Sequence, residues 1–260
     1  MTHQPRTAEK VLKSLSISDP GAIDLEAIAW LSGAKVKYRE LDGCDACIAG
    51  RADVGRAIIS IDSRSMSRRQ RFSLAHEIGH WEWHRGHQLM CSKDDIGGSG
   101  KSRGLSKEAA ANRFAAELLM PKFMLRDAIR DFDVLNMRTV REMATHFDVS
   151  LTAMAYRLVE SDFHPSLLLA YGKDGRRWFA RSKSIDEKWF PKDILDRESS
   201  AYSILFEGAE DDRHMSTIEG DTWFDVRWAD QVEVGEQSFR TQDDEVVTLL
   251  VAQSDRMLAD

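Results

Sequence analysis

The feature that most constrains this chain is a His-Glu-x-x-His motif at residues 76–80, inside a stretch that predicts a helix. In a helix, residues four positions apart lie on one face, so His76 and His80 direct two imidazole nitrogens toward one point. Zinc accepts such nitrogens at about 2.0–2.1 Å. Glu77 then lies beside the ion, where its carboxylate can accept a proton from a water molecule. A chance match is the alternative, so the surrounding sequence has to decide.

The helix that carries the motif is predicted to begin with Ser67 as its N-cap and to reach His84, with Gly86 ending it. Gly79 lies inside this helix, where glycine costs roughly 0.5–1 kcal/mol relative to alanine. Such a glycine is typical of a place where another backbone approaches closely. We therefore expect close backbone packing at Gly79, beside the metal.

His84 continues the series of histidines at every fourth position, but its position excludes it as a third ligand. At 1.5 Å per residue it lies about 12 Å along the helix axis from His76, too far for both to bind one ion. His87 does not fit the spacing of the extended zinc motifs. We expect both histidines at the surface or behind a ligand.

A second helix is predicted at residues 108–121, and it offers a third ligand. On it Glu108 and Asn112 share one stripe with two small or apolar residues, whereas Glu117 faces away. The small residues of the stripe would let this helix approach the first one closely. Glu108 would then complete a site of two histidines, one carboxylate and a water molecule.

Spacing alone leaves the role of Glu108 open. A carboxylate in the first turn of a helix is also favoured by the helix dipole, without any metal. Asp94 and Asp95 are rival ligands, and both lie in a Gly- and Ser-rich loop predicted at residues 92–106.

Two stretches resemble the ImmA/IrrE family of metallopeptidases. They are RFSLAHEIGH at residues 71–80 and EAAANRFAAELLMP at residues 108–121, and the resemblance extends over residues 24–160. It implies a zinc site of two histidines and one glutamate, with Glu108 as third ligand and manganese as the alternative metal. Family members cleave helix-turn-helix repressors, so the resemblance implies such a repressor as the substrate. Its cleavage would derepress stress-response or mobile-element genes.

Residues 138–158 predict two helices joined by a turn, superficially like a DNA-binding motif. Acidic residues match the basic ones between positions 126 and 160, so we expect a structural helical pair and no direct nucleic-acid binding. Tyr156 lies where some family members have a tyrosine. That resemblance makes it a candidate catalytic residue that stabilises a developing oxyanion, with a core aromatic as the alternative.

The fold class expected is α+β. A zincin-like helical metallopeptidase domain would occupy residues 1–163, with a small sheet built from strands near 35–39 and 57–61. A β-rich domain at 164–260, for regulation or substrate docking, would follow.

Strands of the second domain are predicted around a hairpin turn at 173–176 and at 222–228 and 246–251. Its aromatic residues either fill the core or line a ligand pocket; they are Trp178, Trp189, Phe206, Trp223 and Trp228. This half carries 12 basic and 21 acidic residues, a net charge of −9, while the remainder carries +2. Such acidity argues against general nucleic-acid binding and is compatible with a basic partner or with a solvated surface.

Three cysteines, an odd number, suit a reducing cytoplasm, and Cys44 and Cys47 are expected to be structural or incidental. No apolar run reaches the roughly 18–20 residues of a membrane span, and no apolar segment follows the first residues as in a secretory signal. The prediction is a cytoplasmic zinc endopeptidase. The rival is a non-catalytic regulator that binds a repressor or DNA and senses a ligand through its second domain.

Overall fold

The structure is a computed structural model. It describes residues 4–85 and 105–259, except for the side chains of residues 105 and 106. The predicted loop up to residue 104, with Asp94 and Asp95, lies outside the described residues, as do Gly86 and His87. The mixed α+β class is confirmed. Within the described stretches, no helix combines the length and the apolar character that a bilayer crossing requires.

The chain divides into two compact units. Unit 1 comprises residues 1–128 with 145–150, and unit 2 comprises residues 129–144 with 151–260. A domain boundary between residues 163 and 164 stays a prediction.

The described part of unit 1 contains the two helices that are predicted around the motif and at residues 108–121, together with three shorter ones. The first two helices along the chain are capped by side chains, since Thr7 accepts a hydrogen bond from Lys10 N and Asp24 accepts one from Ala27 N. The helices are α1 (Ala8–Ser14), α2 (Leu25–Leu31), α3 (Ser67–Trp83), α4 (Leu105–Leu119) and α5 (Lys122–Ile129).

The start of α3 differs from the prediction. Ser67 is the first residue of the helix itself, and Met66 occupies the N-cap with no side-chain hydrogen bond to the helix. The prediction of Ser67 as N-cap is therefore wrong. The cap position is fixed here by the turn that follows the preceding strand, not by a capping hydroxyl.

The sheet of unit 1 has three strands, β1 (Ala34–Arg39), β2 (Ala46–Arg51) and β3 (Arg56–Asp62), in the order β1-β3-β2. β1 runs parallel to β3, and β2 runs antiparallel to it. β2 packs along α3, where an added Cβ at Gly50 would lie 2.5 Å from the ring of Trp81. The sheet thus supports the helix that carries the His-Glu-x-x-His motif.

The end of α3 is tied to the N-terminal segment through Glu82, whose side chain is fully buried. Arg6 Nη2 donates to Glu82 Oε1 over 2.6 Å, and Ser32 Oγ donates to the same oxygen over 3.1 Å. Residues far apart in sequence therefore hold the C-terminal turn of α3 in place.

Unit 2 combines the predicted helical pair with a five-stranded antiparallel sheet in the order β5-β4-β8-β7-β6. The helices are α6 (Met137–His146), whose last two residues belong to unit 1, and α7 (Leu151–Ser161). The strands are β4 (Ser166–Gly172), β5 (Gly175–Arg181), β6 (Ser216–Glu219), β7 (Glu233–Gln242) and β8 (Glu245–Ala252).

The prediction of a strand at residues 222–228 is wrong. The segment forms short turns, with a single bridge between Phe224 and Pro191. Trp228 has a left-handed backbone (φ 71°) and is 53% exposed, so it does not share a buried face with Phe224. Among the predicted aromatic cluster, Trp189 and Trp223 fill the core, whereas Phe206 and Trp228 are exposed.

Candidate metal centre

Two imidazole rings meet on the buried face of α3. His76 and His80 are one helical turn apart and have exposures of 0% and 1%. Their Nε2 atoms lie 2.9 Å from each other. The i, i+4 spacing therefore brings the two ring nitrogens together as the sequence predicts.

α4 approaches α3 closely at Gly79. A Cβ added at this glycine would lie 3.1–3.2 Å from atoms of Phe114 on α4, tighter than ordinary packing. Gly79 thus leaves room for the side chain of Phe114, so close packing occurs here but against a side chain and not against the backbone that the sequence predicts.

Glu108, in the first turn of α4, completes the cluster. Its Oε2 lies 3.2 Å from His76 Nε2 and 3.1 Å from His80 Nε2. One ligand atom from each of the three residues lies within 4.8 Å of the others. Glu117 is not part of this group.

The charges of the cluster suit a cation. Burial, followed by the neighbouring His76, lowers the pKa of His80 to about 4, so its ring is neutral at pH 7. Burial alone would raise the pKa of Glu108, but the imidazoles of His76 and His80 beside its carboxylate lower it to about 2. Glu108 is therefore ionised at neutral pH.

Each ring is also contacted from behind. His76 Nδ1 lies 2.9 Å from Asn112 Oδ1. Because an amide oxygen only accepts, His76 Nδ1 carries the hydrogen and its Nε2 presents a lone pair. His80 Nδ1 lies 3.2 Å from His84 Nδ1, on the side of the ring away from Glu108.

The arrangement fits a metal ion. With the hydrogen on Nδ1 of His76 and an ionised Glu108, lone pairs converge at separations of 2.9–3.2 Å. Ligand atoms around a tetrahedral zinc at about 2.0–2.1 Å are about 3.3 Å apart. Two nitrogens and one carboxylate oxygen are the donor set of a catalytic zinc site.

Glu77 is the residue after His76 on α3 and is fully buried. It is not one of the three converging groups. Burial, then charges on Cys47 and Glu77, raise the pKa of the Cys44 thiol. Cys44 and Cys47 are free, half-buried thiols, as expected.

Tyr156, the second predicted catalytic residue, lies on α7 in unit 2 and is 45% exposed. Its ring contacts Trp178 at 6.2 Å between centroids, and burial followed by the charge of Glu160 raises the pKa of its phenol. It is therefore not a fully buried core aromatic. Its role as an oxyanion-stabilising residue stays a prediction.

Residues 35–159 match the model of the IrrE N-terminal-like domain, Peptidase M78. This segment belongs to the ImmA/IrrE family. The resemblance carried by residues 71–80 and 108–121 is thereby confirmed.

Two curated relatives are radiation response metalloproteases IrrE. The one from Deinococcus radiodurans is 30% identical over 147 residues, which are 54% of this chain and 41% of the relative. The one from Deinococcus deserti is 29% identical over 184 residues, 66% of this chain and 60% of the relative. The chain thus spans less than two thirds of the length of either relative.

A solved structure, a Mycobacterium tuberculosis transcriptional regulator, shares the fold. The superposed region covers 94% of this chain and 75% of that regulator's chain, with a TM-score of 0.66. At 13% sequence identity, the likeness concerns the fold alone.

Two contacts behind the histidine rings are only partly predicted by the sequence. Asn112 was grouped with Glu108 only as part of a stripe, although its position four residues later already places it on the same face. For His84 the sequence left a surface position and a position behind a ligand open. The i, i+4 spacing from His80 was the available signal, and the structure puts the two rings in contact.

Proposed function

We propose that this chain is a zinc-dependent endopeptidase of the zincin type, with His76, His80 and Glu108 as its zinc ligands. The observation that carries the proposal is the convergence of three ligand atoms from two packed helices, with the buried Glu77 following His76 in sequence. The family of residues 35–159 and the metalloprotease relatives support the same reaction class.

Zinc, when bound, polarises the substrate carbonyl and lowers the pKa of a water molecule toward about 7. His76 and His80 hold such an ion through Nε2, and Glu108 contributes the negative charge that offsets part of it. Glu77 accepts the proton of the attacking water at its carboxylate and delivers it to the leaving amine. This proton transfer is expected to contribute about 10²–10⁴-fold to the rate.

The proposed substrate is a helix-turn-helix repressor, cut in a segment that can be drawn out into an extended conformation. This assignment is supported by the family and not by particular residues. Cleavage would relieve repression of stress-response or mobile-element genes. The free thiols of Cys44 and Cys47 suit a reducing compartment, which supports action in the cytoplasm.

The decisive experiment incubates the zinc-loaded protein with purified helix-turn-helix repressors and maps the fragments by mass spectrometry. We expect a small number of defined cuts in one repressor, loss of cutting with a chelator, and recovery with zinc. Manganese in place of zinc tests the alternative metal. Absence of cutting in every repressor by fully zinc-loaded protein would contradict the proposal.

The Glu77→Gln variant separates the enzyme from the non-catalytic regulator. Glutamine keeps the size of the side chain but cannot accept the proton, so zinc binding should persist while cleavage is lost. Zinc content measured by mass spectrometry is the control for an intact site. Unchanged activity of this variant in cells would favour a regulator that acts by binding alone.

A further inference from the structure

We propose that His84 is a positioning residue that fixes the ring of His80 for metal binding, an inference that rests on the metal centre of the proposed function. The contact that carries it joins His80 Nδ1 to His84 Nδ1 over 3.2 Å. His84 does not reach the ligand cluster itself, which is formed by His76, His80 and Glu108.

The tautomers follow from the direction in which His80 points. Its Nε2 lies 3.1 Å from the Glu108 carboxylate and 2.9 Å from His76 Nε2, so this nitrogen must present its lone pair to a shared cation. The hydrogen of the neutral ring is then on Nδ1. His80 Nδ1 therefore donates, and His84 Nδ1 accepts.

The backbone holds His84 in the position from which it can accept. α3 ends at Trp83, and His84 is its C-cap with φ −126° and ψ 28°. The N–H of His84 still donates to the carbonyl oxygen of His80 over 2.8 Å. Two hydrogen bonds, one from the backbone and one between the rings, therefore join the same pair of residues.

The neighbouring ligand is supported by the same chemistry from a different element. Asn112 Oδ1, on α4, accepts from His76 Nδ1 over 2.9 Å. A metal-bound histidine generally donates its second nitrogen to an acceptor that fixes the orientation of the ring. His84 supplies that acceptor for His80.

This parallel defines the variants. In histidine, Nδ1 is attached to Cγ, as is Oδ1 in asparagine, so His84→Asn keeps an acceptor at the same place. His84→Leu removes the acceptor and leaves the His80 N–H against an apolar group. His146→Leu is the matched control, because His146 is an exposed histidine at the last position of α6 and does not belong to the ligand cluster.

The experiment measures zinc affinity by competition with a chromophoric chelator, the visible absorption of the cobalt-loaded protein, and the melting temperature of the metal-free protein. We expect His84→Leu to bind zinc about 10–100-fold more weakly, the usual effect of losing such a partner. Its cobalt absorption should change while its metal-free melting temperature stays near that of the wild type. His84→Asn should recover most of the affinity, and His146→Leu should behave as the wild type.

Wild-type affinity and an unchanged cobalt spectrum in His84→Leu would overturn the proposal, as would an equal loss in His84→Asn and His84→Leu. If the wild type itself binds no zinc, both the proposed metal centre and the proposed role of His84 are refuted. If the wild type binds zinc but cuts no repressor, the proposed function fails while the affinity series still tests His84. If His84→Leu does not fold, ¹⁵N spectra of the wild type and of His84→Asn test the proposal by showing which nitrogen of His80 carries the hydrogen. A hydrogen on Nε2 of His80 would overturn the proposal.

Discussion

Glu108 and Glu236 are two carboxylates that the fold largely withdraws from solvent, one in each unit, and they differ in what faces them. Glu108 faces Nε2 of two imidazole rings at 3.1–3.2 Å. Glu236, 1% exposed on β7, faces hydrogen-bond donors from its own unit. Ser200 N and Ser200 Oγ donate to its Oε1 over 2.8 and 2.7 Å, and Trp223 Nε1 donates to its Oε2 over 3.4 Å.

The difference shows how to distinguish a buried acid with a structural role from a buried acid that belongs to a ligand site. Glu236 is satisfied by the chain, so nothing further has to bind there. At Glu108, the contact with Asn112 leaves His76 Nε2 presenting a lone pair toward an ionised carboxylate, an arrangement that a cation between them would stabilise. Burial of an acid is common to both sites, and only the convergence of lone pairs distinguishes the metal site.

Zinc should stabilise the site around Glu108 and have no effect through Glu236. At a free zinc concentration 1,000 times the dissociation constant, we expect about 4 kcal/mol of added stability against unfolding. Thermal melting with zinc and with chelator measures this effect. The gain should nearly vanish in Glu108→Ala and persist in Glu236→Gln; an equal gain in both variants would contradict the comparison.

Removal of the Glu236 side chain should destabilise unit 2 by about 1–3 kcal/mol, because buried donors at Ser200 and Trp223 lose their acceptor. Glu236→Gln keeps one carbonyl oxygen and should lose less than Glu236→Ala. Urea unfolding followed by tryptophan fluorescence measures both variants. Equal losses would show that packing, and not hydrogen bonding, determines the effect.

The smallest expected effect is the pH dependence that Glu236 contributes. Burial raises its pKa in the folded chain, although the hydrogen bond from Ser200 opposes this shift. The folded chain therefore binds this proton more tightly than the unfolded chain, and the resulting stability is fully present below about pH 4.3, the unfolded pKa. It is lost as the pH rises through the raised pKa of the folded state.

Glu236→Gln has no such proton, so the unfolding free energy of the wild type minus that of this variant should fall as the pH rises above about 4.3. Asp212 is the charged neighbour to consider, because its Oδ2 lies 2.6 Å from Ser200 Oγ and competes with Glu236 for the same hydroxyl hydrogen. Urea unfolding of both proteins between pH 4 and 8 measures the difference. A difference that stays constant or rises with pH would refute the assignment.

Local sequence signals predicted α3 and α4 to within a few residues at each end, although the N-cap of α3 was placed one residue too late. The same method could not decide between Glu108 and its rivals. The choice depends on how closely α3 and α4 pack, and Gly79 against Phe114 sets that approach. A tertiary contact of this kind leaves only a weak trace in the sequence.

Strands were predicted less well, for two physical reasons. β2 and β7 were not predicted, since β7 buries Glu236, Gln237 and Ser238, whose hydrogen bonds replace the apolar alternation that marks a strand. Residues 222–228 alternate in sequence but form turns, with Trp228 in a left-handed conformation. Alternation of side chains therefore predicts a strand only where the backbone also finds a pairing partner.

The anchoring of Glu82 bears on which fragments of this protein can work alone. The family match begins at residue 35, beyond Arg6 and Ser32, which both donate to the Glu82 carboxylate. A polypeptide trimmed to residues 35–159 would keep His76, His80 and Glu108 yet lose these two partners of a fully buried acid, two residues after His80. Residues outside the segment that defines the family thus contribute contacts that hold the end of α3.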